Sequence, residues 1–272
     1  MLQIPEVDRL LNTGKPYAKI HSASWGSNYA GYGQLSYLFD AHAYENDELL
    51  IFVAAGNSGS NDASQTVGEP ATAKNIIAVG SSQSITMKGR PSYISDFSSR
   101  GPTLDGRTKP EIIAPGQWIS SANSGGECDP IDGISPGPGE KKSGLISMQG
   151  TSMATPIAAG AAAAIRQYLR EGFYPSGERN PKDSISNPSS SLIKAILLNG
   201  GQDMLGVDNG KGTEVKTYDN NQNFGRISLM DSVYIKYKSN VHMKFWDRVV
   251  LQGNNADSYF IVSFLFNHKN II

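Results

Sequence analysis

Apolar positions along this chain follow two periods. Leu49-Leu50-Ile51-Phe52-Val53-Ala54 is an unbroken apolar run closed by Ala55-Gly56-Asn57-Ser58-Gly59, the pattern of a strand buried on both faces of a parallel sheet. Asn75 to Gly80 has the same length and character, and Ala18 to Ser24, ending at Trp25-Gly26-Ser27, predicts another strand. Between them Leu35, Leu38, Phe39 and His42 recur at three- and four-residue spacing, which predicts an amphipathic helix over 34–45. A second helix is predicted from Ser190 to Asn199, carrying Leu192, Ile193, Ile196 and Leu197 and stopped by Gly200. Residues 152–170 predict a third, built from Ala and Gly on most sides and therefore central and buried, with Arg166 and Arg170 suiting its C-terminal dipole.

Strand and helix in alternation predict an α/β fold, a mostly parallel sheet with helices on both faces. The first fifteen residues are polar and predict no regular structure. Residues 81–143 read as turns and short extended pieces, 145–149 as a short strand, and 172–188 as a polar loop. Past Gly225 the pattern changes. Arg226 to Tyr237 and Lys244 to Phe266 are rich in β-branched and aromatic residues, with Gly253-Asn254-Asn255 as a turn, and predict the opening strands of an all-β unit. The expected division is residues 1–225 and 226–272, the second part too short to complete a domain.

The 272 residues suffice for one large core. A net charge of −1, without a basic block or an acidic tail, argues against nucleic acid or a membrane surface as partner. The apolar run from Met153 to Ile165 is too short to span a bilayer and contains Pro156 and Gly160. The residues after Met1 lack the basic flank and apolar stretch of a signal peptide. Cys128 is the single cysteine and predicts neither a disulfide nor a metal site. Asp203, Asp208 and Asp219 are scattered through one loop, so no metal site is expected.

Gly150-Thr-Ser-Met-Ala-Thr-Pro156 carries the chemistry. It puts Ser152 where a short extended segment meets a helix N-terminus, with the hydroxyl lifted off the sheet and the backbone N–H free of an intrahelical acceptor. That environment suits a nucleophile whose attack creates an oxyanion. The plain alternative is that Ser152 or Thr151 only caps the helix. Asn57 follows a predicted buried strand, at the carboxyl edge where open α/β sheets bind ligands. Its amide N–H and the Ser152 N–H would converge on one developing oxyanion; alone, it would read as a turn asparagine between glycines.

Gly150 to Pro156 resembles the active-serine motif of the subtilisin-like serine proteases. Ser24-Trp25-Gly26-Ser27 is similar to that family's substrate-lining strand, and Val53 to Gly59 to the segment with its oxyanion asparagine. Phe97-Ser-Ser-Arg-Gly-Pro102 and Lys109-Pro-Glu-Ile-Ile-Ala-Pro-Gly116 match two of its structural loops. The likeness covers roughly residues 20–225 and looks most like the branch with a β-sandwich after the catalytic domain. It implies a subtilisin-like fold, serine endopeptidase activity through an acyl-enzyme at Ser152, and an oxyanion hole of Asn57 and Ser152. It further implies an extended polypeptide held by Ser24, Trp25, Gly26, Ala54, Ala55 and Gly56. The resemblance leaves calcium, which the family often binds, as the one possible cofactor, with none certain, and most relatives are secreted.

In that family an Asp and then a His precede the asparagine segment. Residues 1–56 contain neither an Asp-Thr-Gly strand end nor a His-Gly-Thr helix start; Leu11-Asn12-Thr13-Gly14 has Asn where Asp is needed. His21 and His42 read as structural, and His242 and His268 fall in the β-rich tail. The expectation is an N-terminally truncated protease that lacks its general base and is inactive as this chain. The competing expectation is a protease-derived protein that binds peptide or serves as a scaffold without cleaving. A nucleophile elbow of the α/β-hydrolase type fits poorly, because Ala154 replaces the final glycine and Pro156 follows.

Overall fold

The computed structural model describes residues 4–14, 17–85, 89–123, 145–239, 241, 243–252 and 259–267. Its centre is a six-stranded, mostly parallel sheet. β1 (Ile20–Ala23) pairs in parallel with β2 (Leu50–Ala54), and β2 with β3 (Ile77–Gln83). β3 pairs in parallel with β5 (Ile112–Gln117) and antiparallel with β4 (Tyr93–Ser95), which pairs in turn with β8 (Gly206–Asp208). β6 (Ile119–Ala122) and β7 (Leu145–Met148) form a separate antiparallel ribbon.

The unbroken apolar run of β2 has a simple cause. Strand side chains alternate between faces, and both faces are covered. Leu50, Phe52, Ile77, Val79, Ile112 and Ala114 pack against α3 (Thr151–Arg170) and α4 (Ser190–Asn199). Ile51, Val53, Ile76 and Ala78 pack on the other face with Phe39 of α2 (Gln34–Glu45). α3 buries Ala154, Ala158, Ala161 and Ala162 against the sheet, so its backbone lies close to the strands, as its small residues predict.

Two expectations are corrected. The N-terminal stretch is not irregular: α1 (Ile4–Gly14) docks on α2, with Val7 and Leu11 buried in the α2-side core. Ile4, Val7, Leu10 and Leu11 stand at three- and four-residue spacing, an amphipathic pattern among polar residues, and a helix this short owes its stability to tertiary packing rather than propensity. Second, Arg226 to Tyr237 does not form strands. Arg226 makes isolated bridges to Ile113 and Gln202. The chain then turns into a single helical turn, α5 (Leu229–Ser232), closed by the Ser228 hydroxyl donating to Asp231 and the Ser232 hydroxyl donating to the Ser228 carbonyl.

Regular β structure resumes with the antiparallel hairpin β9 (Met243–Gln252) and β10 (Tyr259–Asn267). β9 is tied to the α/β unit. Phe245 is buried in the α3–α4 core, its ring 4.2 Å from that of Tyr174. Asp247 accepts from the Ser189 hydroxyl and N–H at the start of α4, and Arg248 donates to Asp47 and to the Asn187 carbonyl.

Candidate functional site

The loops leaving β1 and β2 meet the N-terminus of α3 at the carboxyl edge of the sheet. There Ser24, Trp25, Gly26, Ala54, Ala55, Gly56, Asn57 and Ser152 line one cleft of about 200 Å³, with Ser27, Asn28, Ser58, Gly68 and Thr151 completing its wall. Every candidate residue singled out in the sequence is brought to it. A larger hollow of about 810 Å³ lies elsewhere, between Tyr17–Ile20 and the C-terminal half of α3, and holds none of them.

Thr151 organises the junction. Its backbone N–H and hydroxyl both donate to Asn57 Oδ1, at 2.9 and 3.0 Å, while its Oγ accepts the Gly56 N–H at 3.2 Å. With Oδ1 occupied, the amide orientation is fixed and Nδ2 is left as the outward donor. A Cβ built on Gly150 would lie 3.4 Å from Asn57 Nδ2 and 3.6 Å from the Ser152 nitrogen. Both donors therefore border one small space, which Gly150 keeps open. Gly150 has φ 151° and ψ 161°, a backbone region essentially confined to glycine. It is held by its N–H donating to the Gly116 carbonyl at 2.8 Å.

Thr151 is the participant that the sequence left as a mere cap. The available signal was its place between a glycine and the serine, where a buried hydroxyl must find partners. Thr151→Val is expected to cost about 1–3 kcal/mol of stability, since the Gly56 N–H loses its acceptor and Asn57 an orienting donor. Denaturant titration measures that loss, and the Asn57 side-chain amide resonances should collapse toward free-asparagine shifts. A variant with unchanged midpoint and shifts removes this role from Thr151.

Ser152 Oγ donates to the Ser24 carbonyl at 3.1 Å, and Ser24 Oγ donates to the Ser152 carbonyl at 2.9 Å. Neither described histidine reaches the pair. His21 packs edge-on against Phe39 at 6.4 Å; its Nε2 is buried without a described partner, and burial lowers its pKa. His42 Nε2 meets Asp8 Oδ1 at 3.1 Å, joining α2 to α1. His242, His268, Cys128 and the turn at 253–255 lie outside the described residues. Trp25 has both roles considered for it: it lines the cleft and packs edge-on against Phe39 at 5.8 Å. Among the described residues no group of three or more His, Cys, Asp or Glu is placed to hold a metal ion. No described helix is long and apolar enough to cross a membrane.

Comparison with known proteins gives the family and the fold. Residues 6–218 match the model of the Subtilase family. The chain is 32% identical over 262 residues to the "Serine protease/ABC transporter B family protein tagB" of Dictyostelium discoideum, covering 70% of this chain and 14% of that protein. It is 42% identical over 120 residues to "Serine protease AprX" of Bacillus subtilis (strain 168), covering 44% of this chain and 26% of that one. The chain thus spans a small fraction of these relatives. Among solved structures, Sphericase superposes with a TM-score of 0.55 at 24% identity, over 82% of this chain and 61% of its own, a likeness of fold.

Proposed function

The chain belongs to the subtilase family, whose members are serine proteases, and from that premise we propose that it carries the nucleophile and oxyanion-binding half of an endopeptidase site. In this reading Ser152 Oγ attacks the carbonyl carbon of an extended peptide. The carbonyl electron pair moves onto oxygen, and that oxyanion is received by Asn57 Nδ2 and the Ser152 N–H. Collapse expels the amine as the acyl-enzyme forms, and water then attacks the ester. Ser24 to Gly26 and Ala54 to Gly56 hold the peptide on either side, by main-chain pairing of the strand-addition kind.

Attack also requires a base to take the hydroxyl proton and return it to the leaving amine. The observation that carries the second half of the proposal is the destination of that proton. Ser152 Oγ–H points at the Ser24 carbonyl, a neutral acceptor, while His21 and His42 are engaged on the α2 side. Among the described residues no base reaches Ser152, and in this reading the 272-residue chain binds extended peptide without hydrolysing it. The non-catalytic peptide-binding reading shares the same support, the assembled cleft. Location outside the cytoplasm and a β-sandwich opening with the β9–β10 hairpin, its first strand docked through Phe245, belong to the same proposal and rest on the family resemblance.

A fluorophosphonate probe tests it. Labelling of the wild-type chain is expected at the level of Ser152→Ala, with peptide binding retained when followed by the intrinsic tryptophan fluorescence to which Trp25 in the cleft contributes. Stoichiometric labelling at Ser152 would show that a base is present and overturn the inactive reading.

A further inference from the structure

We propose that Ser24 is a positioning residue whose contacts with Ser152 make the freedom of the Ser152 hydroxyl depend on whether peptide occupies the cleft. The inference rests on the reading of this cleft as a peptide groove. It starts from Pro156. In a regular helix the Ser152 carbonyl would accept the N–H of residue 156, but proline has none. The orphaned carbonyl is filled from outside the helix by Ser24 Oγ–H at 2.9 Å. The same contact brings the Ser24 carbonyl to Ser152 Oγ, which donates to it at 3.1 Å. Two residues 128 positions apart thus close a ring of two hydrogen bonds, each helping to hold the other in place.

Ser24 immediately follows β1 and is the first residue of that segment to line the cleft, where its carbonyl meets Ser152. An extended peptide pairing with this segment donates an N–H to that carbonyl. The oxygen has two lone pairs, yet two donors on one neutral oxygen each receive a weaker bond. Peptide N–H and Ser152 O–H therefore compete. In the empty cleft the hydroxyl is parked on Ser24; in the filled cleft it is loosened and made available. Sequence supports the arrangement at both ends, with a hydroxyl at position 24 and an imino acid four residues after Ser152.

The test is a binding cycle on the full chain. An uncharged octapeptide amide and a series of depsipeptides, each with one backbone N–H replaced by an ester oxygen, are titrated against wild type, Ser152→Ala and Ser152→Cys. Removing the competing hydroxyl is expected to tighten octapeptide binding about threefold to tenfold, the worth of one neutral hydrogen bond. The thiol, a poorer donor, falls between. For one depsipeptide the advantage of Ser152→Ala should vanish, because the N–H that competes for the Ser24 carbonyl is gone. In a Ser24→Ala background, which keeps the carbonyl and loses the return bond, the advantage should shrink. Equal affinity of wild type and Ser152→Ala overturns the coupling while leaving the peptide groove intact. An advantage that persists in every depsipeptide also overturns it, showing only steric relief. Absence of any binding overturns the groove reading itself and the coupling with it.

Discussion

Lys109→Ala is expected to lower the unfolding free energy by about 3–5 kcal/mol, the cost of breaking a buried ion pair from one side. Lys109 is 1% exposed. Its ammonium donates to the Ala73 carbonyl at 2.6 Å and to Glu111 Oε1 at 2.5 Å, and Glu111 Oε2 accepts the Ala78 N–H at 2.7 Å. The pair therefore ties the loop after Pro70 to β3 and to the entry of β5. Burial pushes the Lys109 ammonium below the usual lysine range, and the adjacent Glu111 carboxylate opposes that push. Alanine would strand a carboxylate with one partner and leave the Ala73 carbonyl without its donor. The double variant K109M/E111Q keeps an acceptor for the Ala78 N–H and removes both charges, so it should recover most of the loss. Denaturant midpoints with unchanged slopes measure both. A loss under about 1 kcal/mol for Lys109→Ala would mean that water reaches the pair, against its burial.

That pair marks the border of what the sequence discloses. Lys109 and Glu111 are recognisable there only as parts of a Lys-Pro-Glu segment; their burial follows from a loop more than thirty positions earlier folding over them. The helices over 34–45 and from Ser190 to Asn199 were legible to the residue, because a 3.6 period and the stop at Gly200 are local signals. β2 was legible for the opposite reason: a strand covered on both faces has no period, only a run. α1 carried the same local signal, Ile4, Val7 and Leu11 at three- and four-residue spacing, but among so many polar residues that the stretch read as irregular; α2 buries Val7 and Leu11. Arg226 to Tyr237 failed because β-branched residues report a fit to a pleated surface, and there a Ser228–Asp231 contact closes a helical turn instead. At the proposed site, Ser152, Asn57 and the Ser24 segment were singled out from motif and order, and the fold brings them to one cleft. The bonds of Thr151 to Asn57, and of Ser24 to Ser152, were not legible, because each joins residues about a hundred positions apart.

Gly150→Ala is expected to affect the cleft more than any change of a side chain already lining it. Two effects act together. At φ 151° a Cβ is strained, which costs about 1–3 kcal/mol. The added methyl would also stand 3.4 Å from Asn57 Nδ2 and 3.6 Å from the Ser152 nitrogen, in the space both donors border. A peptide ending in a free carboxylate offers an anionic oxygen for that space and needs no base to bind. The wild-type chain should therefore prefer a peptide acid over the matching amide. Removing one charge-assisted hydrogen bond costs about 1.5–3 kcal/mol, or roughly 10- to 150-fold in affinity. Asn57→Ala should lose about that much of the preference for the acid, and Gly150→Ala all of it. Amide binding should be little changed in Asn57→Ala, which separates loss of the anion site from loss of the groove. Calorimetric titration of both ligands at neutral pH measures each term. If wild type binds acid and amide equally, the two donors do not converge on a usable site, and the reading of Asn57 and Ser152 as an oxyanion hole falls with that result.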